Sequence, residues 1–246
     1  MRFTRFSVVF FALLFGLIAG PAGAQEAPDD AYMFYLVGNS LTAEINYGAF
    51  EKMVESRDHE LNIGSQRIPG APILWLWNHN ESGFTHRPYG YPRKALAEYK
   101  WDALSLQPFQ WGFDRDLQGS KNFGELLWRN SPEATLYIYA QWPSRTGGIW
   151  TRRWLESREE SIMTREHYED LVTALREEYP DRKDKIKLVP VGHVMHLLQQ
   201  KIEAGQWPGM ETMWQVYSDG VHIEPVGSFI VGSTYYATLF GQSPEG

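Results

Sequence analysis

Tyr32-Met33-Phe34-Tyr35-Leu36-Val37-Gly38-Asn39-Ser40-Leu41-Thr42 decides how this chain is read. The apolar run Tyr32–Val37 is continuous rather than alternating, which is the pattern of a strand buried on both faces. It ends in Gly-x-Ser-Leu, and a strand that turns there into a helix exposes a serine hydroxyl at the edge of a sheet. Near the other end, Asp219-Gly220-Val221-His222 places a carboxylate and an imidazole three residues apart. The two segments together hold a nucleophile, a general base and the group that orients the base.

The remaining apolar runs place these segments in a fold. Ala103–Leu106, Ala134–Ala140 and Ile186–Val191 are expected to be further buried strands, and Glu60–Gln66 a weaker one in which Leu61 and Ile63 alternate with polar neighbours. Helical spacing recurs between them: Ile45, Ala49, Met53 and Val54; Tyr168, Leu171, Leu175 and Tyr179 up to Pro180; Val194, Leu197, Leu198 and Ile202; Val226, Phe229, Ile230 and Ala237. Pro225 suits the first turn of the last helix and Gly241 its C-cap. Alternating strands and helices predict an α/β fold, a parallel sheet covered by helices on both faces. Ligands of such sheets bind beyond the carboxyl ends of the strands. Ser40, Gln107, Gln141–Arg145 and Gly192–His193 all follow expected strands, so they are expected along one edge.

Arg2 and Arg5, the apolar stretch Val8–Ile18 and Ala22-Gly23-Ala24 have the layout of a secretory signal peptide over residues 1–24, cut before Gln25. A membrane anchor is the competing reading, though Gly16, Gly20 and Pro21 interrupt the run and it is short for a span. No other segment is apolar enough to cross a bilayer. The expectation is therefore an exported bacterial protein, periplasmic or secreted, with one domain over residues 25–246. The chain has no cysteine, which excludes disulfides and thiolate chemistry. Its net charge of −7 gives no electrostatic reason to bind nucleic acid. Ten Trp, 13 Tyr and 13 Phe make the chain unusually aromatic; most are expected in the core, and rings such as Trp75, Trp77, Trp111, Trp142, Trp150 and Trp154, in or beside expected loops or helix starts, could stack on sugar rings. Ser144–Ser161, with Gly147-Gly148 and several arginines, is too long for an ordinary connection and is expected as a surface excursion.

Gly38-Asn39-Ser40-Leu41 and Asp219-x-x-His222 resemble the first and last signature blocks of the SGNH, or GDSL, hydrolases, with Asn39 where the family name has Asp. The resemblance spans nearly the whole chain after residue 24. It implies a three-layer α/β/α sandwich with a flavodoxin-like parallel sheet, and Ser40, Asp219 and His222 as catalytic residues. It also implies an oxyanion hole. Gly70 in Ile68-Pro69-Gly70-Ala71 is the candidate for the second block, and Gln107 stands where the third block has asparagine. The hole would then comprise the N–H groups of Ser40 and Gly70 and the amide of Gln107. No cofactor is implied.

Simpler roles compete at each position. Ser40 also suits an N-cap, Asp219-Gly220 and Pro69-Gly70 are turn dipeptides, and Gln107 also suits a brace on its loop. Asn39, Trp77, Gln141, Trp142 and His193 are the candidate substrate contacts. His193 and His196 share a helix face with Glu203 in reach, but two histidines without a firm third ligand do not make a metal site, and none is expected. The function expected is hydrolysis of an ester through an acyl-serine, with a carbohydrate or polysaccharide acetyl ester as substrate. The alternatives are an O-acetyltransferase of an envelope glycan and a non-catalytic carbohydrate-binding protein on the same scaffold.

Overall fold

β1 (Tyr32–Gly38) is central, and all of it but Tyr32 is buried. The computed structural model describes residues 31–109, 112–145, 154 and 164–245. The expected signal peptide and most of Ser144–Ser161 lie outside the described residues. On one side β1 pairs in parallel with β2 (Leu61–Arg67), from Tyr32 opposite Leu61 to Gly38 opposite Arg67. β3 (Phe84–Thr85) joins β2 antiparallel and forms one edge. On the other side β1 pairs in parallel with β4 (Ala103–Leu106), followed by β5 (Thr135–Tyr139) and β6 (Ile186–Val189). The sheet order is β3-β2-β1-β4-β5-β6. Without the antiparallel edge strand, this is the flavodoxin-like order.

α1 (Ser40–Ala43) follows β1 at once, and α2 (Tyr47–Glu55) continues it. α3 (Ile73–Asn78), α4 (Pro92–Glu98), α5 (Phe113–Asn130), α6 (Arg165–Glu178), α7 (Val191–Glu203) and α8 (Pro225–Phe240) complete the helices described. Alternate residues of β1 separate two cores. Phe34 and Leu36 pack with Phe50 of α2, Met195 and Leu198 of α7 and Tyr235 of α8. Tyr35 and Val37 pack with Ile73 of α3, Leu96 of α4, Phe123 and Leu127 of α5 and Leu171 of α6. A strand with apolar side chains in both cores cannot alternate in polarity, which explains its continuous run.

The expected strands are present, with shifted ends. The weak candidate is a full central strand, because β2 is covered on both faces. β6 stops at Val189, since Pro190 lacks an N–H for the ladder and Val191 opens α7. Leu197 and Phe229, expected on buried helix faces, are instead 56% and 61% exposed. α3, α4 and α5 are additional to the expected helices. α5 is mostly polar and contains Gly119 and Gly124, both poor helix formers. Among the described residues no helix is long and apolar enough to cross a membrane.

Candidate active site

β1 delivers Ser40 to the carboxyl edge of the sheet, where it opens α1. Asn39 caps that helix, its side-chain oxygen accepting from the N–H of Leu41 at 3.0 Å. Ser40 is half-buried. The loop before α8 brings His222 to it, with Nε2 2.9 Å from Ser40 Oγ. Nδ1 of the same ring lies 2.7 Å from Asp219 Oδ2. The other carboxylate oxygen accepts from the N–H groups of Val221 and His222, each at 2.7 Å. These bonds favour the ionised carboxylate and hold its pKa down to about 2, the Val221 N–H first, then the His222 side chain, then its N–H. An ionised carboxylate only accepts, so it keeps the proton of neutral His222 on Nδ1 and leaves Nε2 free to accept from Ser40.

The Asp219–His222 loop is anchored from the segment after β5. The indole of Trp142 donates to the Val221 carbonyl at 2.8 Å, and the Ser144 hydroxyl donates to Gly220 at 2.9 Å. Tyr217 donates its hydroxyl back to Pro143 at 2.9 Å. The Arg145 guanidinium lies 5.3 Å from the centre of the Trp214 ring. Trp142, a candidate substrate contact, is fully buried and therefore holds the base loop instead.

Gln107 also differs from expectation. Its amide donates to Asn39 Oδ1 at 2.9 Å and to Gln141 Oε1 at 2.8 Å, which engages both of its hydrogens. Its oxygen accepts from the Asn39 N–H at 3.2 Å and from the Thr42 hydroxyl at 2.5 Å. The Asn39 N–H can only donate, so it fixes which end of the amide is oxygen. Gln107 therefore braces the turn that presents Ser40 and has no hydrogen to spare for an oxyanion. Gly38 makes room for this brace: a Cβ there would lie 1.9 Å from Thr42 Oγ1 and 2.8 Å from Gln107. Asn39 and Gln141, two more candidate contacts, are buried within the same network.

The last two candidate contacts also have structural partners. Trp77 packs edge-on against Phe123, ring centres 5.0 Å apart, with the Arg93 guanidinium 4.6 Å from its own. His193 lies 2.9 Å from a Glu169 oxygen and packs edge-on against Trp154. Among the described residues no group of three or more His, Cys, Asp or Glu is placed to hold a metal.

Gly70 follows β2 on an exposed turn with φ of 68°, a conformation that suits glycine. That turn starts beside the nucleophile strand, because the Ile68 N–H donates to Gly38 at 3.0 Å. Among the described residues no hydrogen bond occupies the N–H of Gly70 or of Ser40. Glu44 is a functional candidate that the sequence analysis missed. Its half-buried carboxyl lies near the Ile223 N–H and interacts electrostatically with His222. Burial pushes its pKa above the ordinary carboxylate value, and the nearby imidazole opposes that shift. Its spacing of four residues from Ser40 on a short helix was the available signal.

No family model matches this sequence, and no curated protein matches it. Solved structures do. A DUF4886 family protein from Bacteroides uniformis shares 16% identity over 87% of this chain and 85% of its own, with a TM-score of 0.60. A candidate GDSL-like lipase from Parabacteroides merdae shares 12% over 87% of this chain and 97% of its own, with a TM-score of 0.54. A family 3 carbohydrate esterase from Talaromyces cellulolyticus shares 10% over 85% and 97%, with a TM-score of 0.52. At these identities the likeness concerns architecture, and the chain has the fold of the SGNH, or GDSL, hydrolases.

Proposed function

We propose that this protein is an exported serine esterase that removes an acyl group, most simply acetyl, from a carbohydrate or polysaccharide. The observation that carries the proposal is the continuous chain from Ser40 Oγ through His222 to Asp219, with contacts of 2.9 and 2.7 Å. His222 takes the Ser40 proton as Oγ attacks the ester carbonyl. The N–H groups of Ser40 and Gly70 receive the developing oxyanion. When the tetrahedral intermediate collapses, His222 returns the proton to the leaving alcohol and an acyl-serine remains. Water, activated by the same imidazole, then releases the acid and restores Ser40. Asp219 stabilises the imidazolium in both halves, and the Glu44 carboxylate adds to that field.

The saccharide part of the proposal is supported by the likeness to a structure described as a carbohydrate esterase and by the aromatic content of the chain. The export part is supported by the layout of residues 1–24. The test is release of p-nitrophenol from p-nitrophenyl acetate and of acetate from acetylated oligosaccharides, by wild-type protein and by Ser40→Ala. Loss of both activities in the variant is expected. Near-full activity in Ser40→Ala would exclude the serine mechanism.

A further inference from the structure

Arg67 ends β2 directly opposite Gly38, two residues before the nucleophile. Neighbouring strands lie about 4.8 Å apart and a residue spans at most about 3.6 Å, so the Cα atoms of Arg67 and Ser40 are at most about 12 Å apart. β2 residues at alternate positions share a face. Ile63 belongs to the core beneath α2 and α8, so Arg67 points to that side, the side from which His222 reaches Ser40. Its guanidinium lies 5.2 Å from the centre of the Tyr47 ring, on the first turn of α2.

Among the described residues this cation has no anionic partner: no carboxylate forms an ion pair with it and no hydrogen bond engages it; its Nε is buried without an acceptor. The hydroxyls of Tyr47 and Ser65, on the same face, interact with each other and do not serve the guanidinium. Leaving a buried donor of a charged group unpaired is costly, and a guanidinium matches a planar or tetrahedral oxyanion with two parallel bonds. His86 packs edge-on against Tyr47 and is hydrogen-bonded to the Ile63 carbonyl at 2.8 Å, so it does not serve Arg67.

Across the ladder from Arg67 lies an exposed apolar side chain. Phe84 of the edge strand β3 pairs directly opposite Arg67, and opposite residues of an antiparallel pair project to the same face. Phe84 is 63% exposed, unusual for a ring so near the edge that bears Ser40. An exposed ring on the same face of the sheet as a guanidinium with no anionic partner among the described residues accommodates a sugar ring carrying a negative group.

We propose that Arg67 and Phe84 form a subsite for an acidic saccharide, in which the guanidinium binds a carboxylate or sulfate substituent and the phenyl ring stacks on the sugar. The proposal rests on the esterase reading and narrows its substrate class to acylated acidic glycans.

The test uses Ser40→Ala protein, which leaves the substrate intact, titrated calorimetrically with three acetylated oligosaccharides of equal length: neutral, uronate-bearing and sulfated. At least one acidic ligand is expected to bind about tenfold tighter than the neutral one, a preference that weakens with salt. The better acidic ligand shows which anion the subsite takes. Adding Arg67→Gln should abolish the preference, and adding Phe84→Ala should weaken every ligand. Arg67→Met, which keeps the stem over Tyr47, serves if Arg67→Gln misfolds. Equal affinity for neutral and acidic ligands, a preference that survives loss of the cation, or no binding of any ligand would overturn the subsite. Failure of the esterase reading is seen separately, as absence of p-nitrophenyl acetate hydrolysis by wild-type protein, and does not enter the binding ratio.

Discussion

The indole N–H of Trp142 donates to the carbonyl of Val221 at 2.8 Å, so a fully buried side chain after β5 holds the loop that carries Asp219 and His222. Trp142→Phe keeps an aromatic ring in the core and leaves that carbonyl unpaired. The expected result is a fall in kcat of about tenfold with KM little changed, because the imidazole loses position and not substrate contact. Single-turnover rates and melting temperatures check this. A fall in Tm with kcat unchanged would make Trp142 a packing residue only.

Asp219→Asn tests the tautomer argument. The asparagine oxygen can still accept from the Val221 and His222 N–H groups, which leaves its amide nitrogen facing Nδ1 of the imidazole. That arrangement moves the ring proton to Nε2, which then cannot accept from Ser40. A loss of roughly 1,000- to 10,000-fold in kcat at neutral pH is expected. The pH dependence of stability has a fixed sign. A carboxylate whose pKa is lowered on folding stabilises the fold above its unfolded pKa, and that contribution fades as pH falls toward the folded value of about 2. Acid denaturation of Asp219→Asn should therefore lack this component, as equilibrium unfolding between about pH 4 and 2 will show.

Gln107→Ala should unsettle the Ser40 turn by removing the Gln107 partner of the Asn39 N–H, the Thr42 hydroxyl and the Gln141 side-chain oxygen, and leaving the Asn39 side-chain oxygen only its bond from the Leu41 N–H. A loss of about 2–4 kcal/mol is expected in denaturant unfolding, accompanied by lower activity. Gln107→Glu should be worse, since a carboxylate would face the Asn39 and Gln141 oxygens. An Ala variant of wild-type stability with a slowed chemical step would restore Gln107 to the oxyanion hole.

Glu44→Gln should separate stability from activity. Burial raises the Glu44 pKa on folding, so the fold is favoured while the carboxyl is protonated and loses that advantage as pH rises through the folded value. The neutral amide removes this penalty, and Tm at neutral pH should rise. The same change removes a negative charge beside His222, and kcat should fall several-fold as the imidazolium loses support. Thermal melts at pH 4 and pH 8 test the first part: the gain should be larger at pH 8.

The sequence by itself determined the sheet and which serine, histidine and aspartate meet at its edge. Continuous apolar runs such as Tyr32–Val37 require cover on both faces, which leaves few arrangements beyond a parallel sheet between helices. A serine after the first strand and an Asp-x-x-His before the last helix then fall on one edge because strands of a parallel sheet all end on the same side. Local spacing sufficed there, since Asp219 reaches His222 within one turn. Roles that depend on long-range partners were not legible. From the sequence Gln107 suits a free donor or a brace, and only Asn39, Thr42 and Gln141 around it select the brace; Trp142 is a candidate substrate contact in the sequence, and its burial against the loop of Asp219 and His222 makes it structural. Arg67 gave no signal at all. What marks it is the lack of an anionic partner among the described residues and its register with Gly38 and Phe84, and both depend on how distant segments meet. Tertiary structure decided these because a polar side chain's chemistry is set by which of its hydrogens and lone pairs remain unspent after folding.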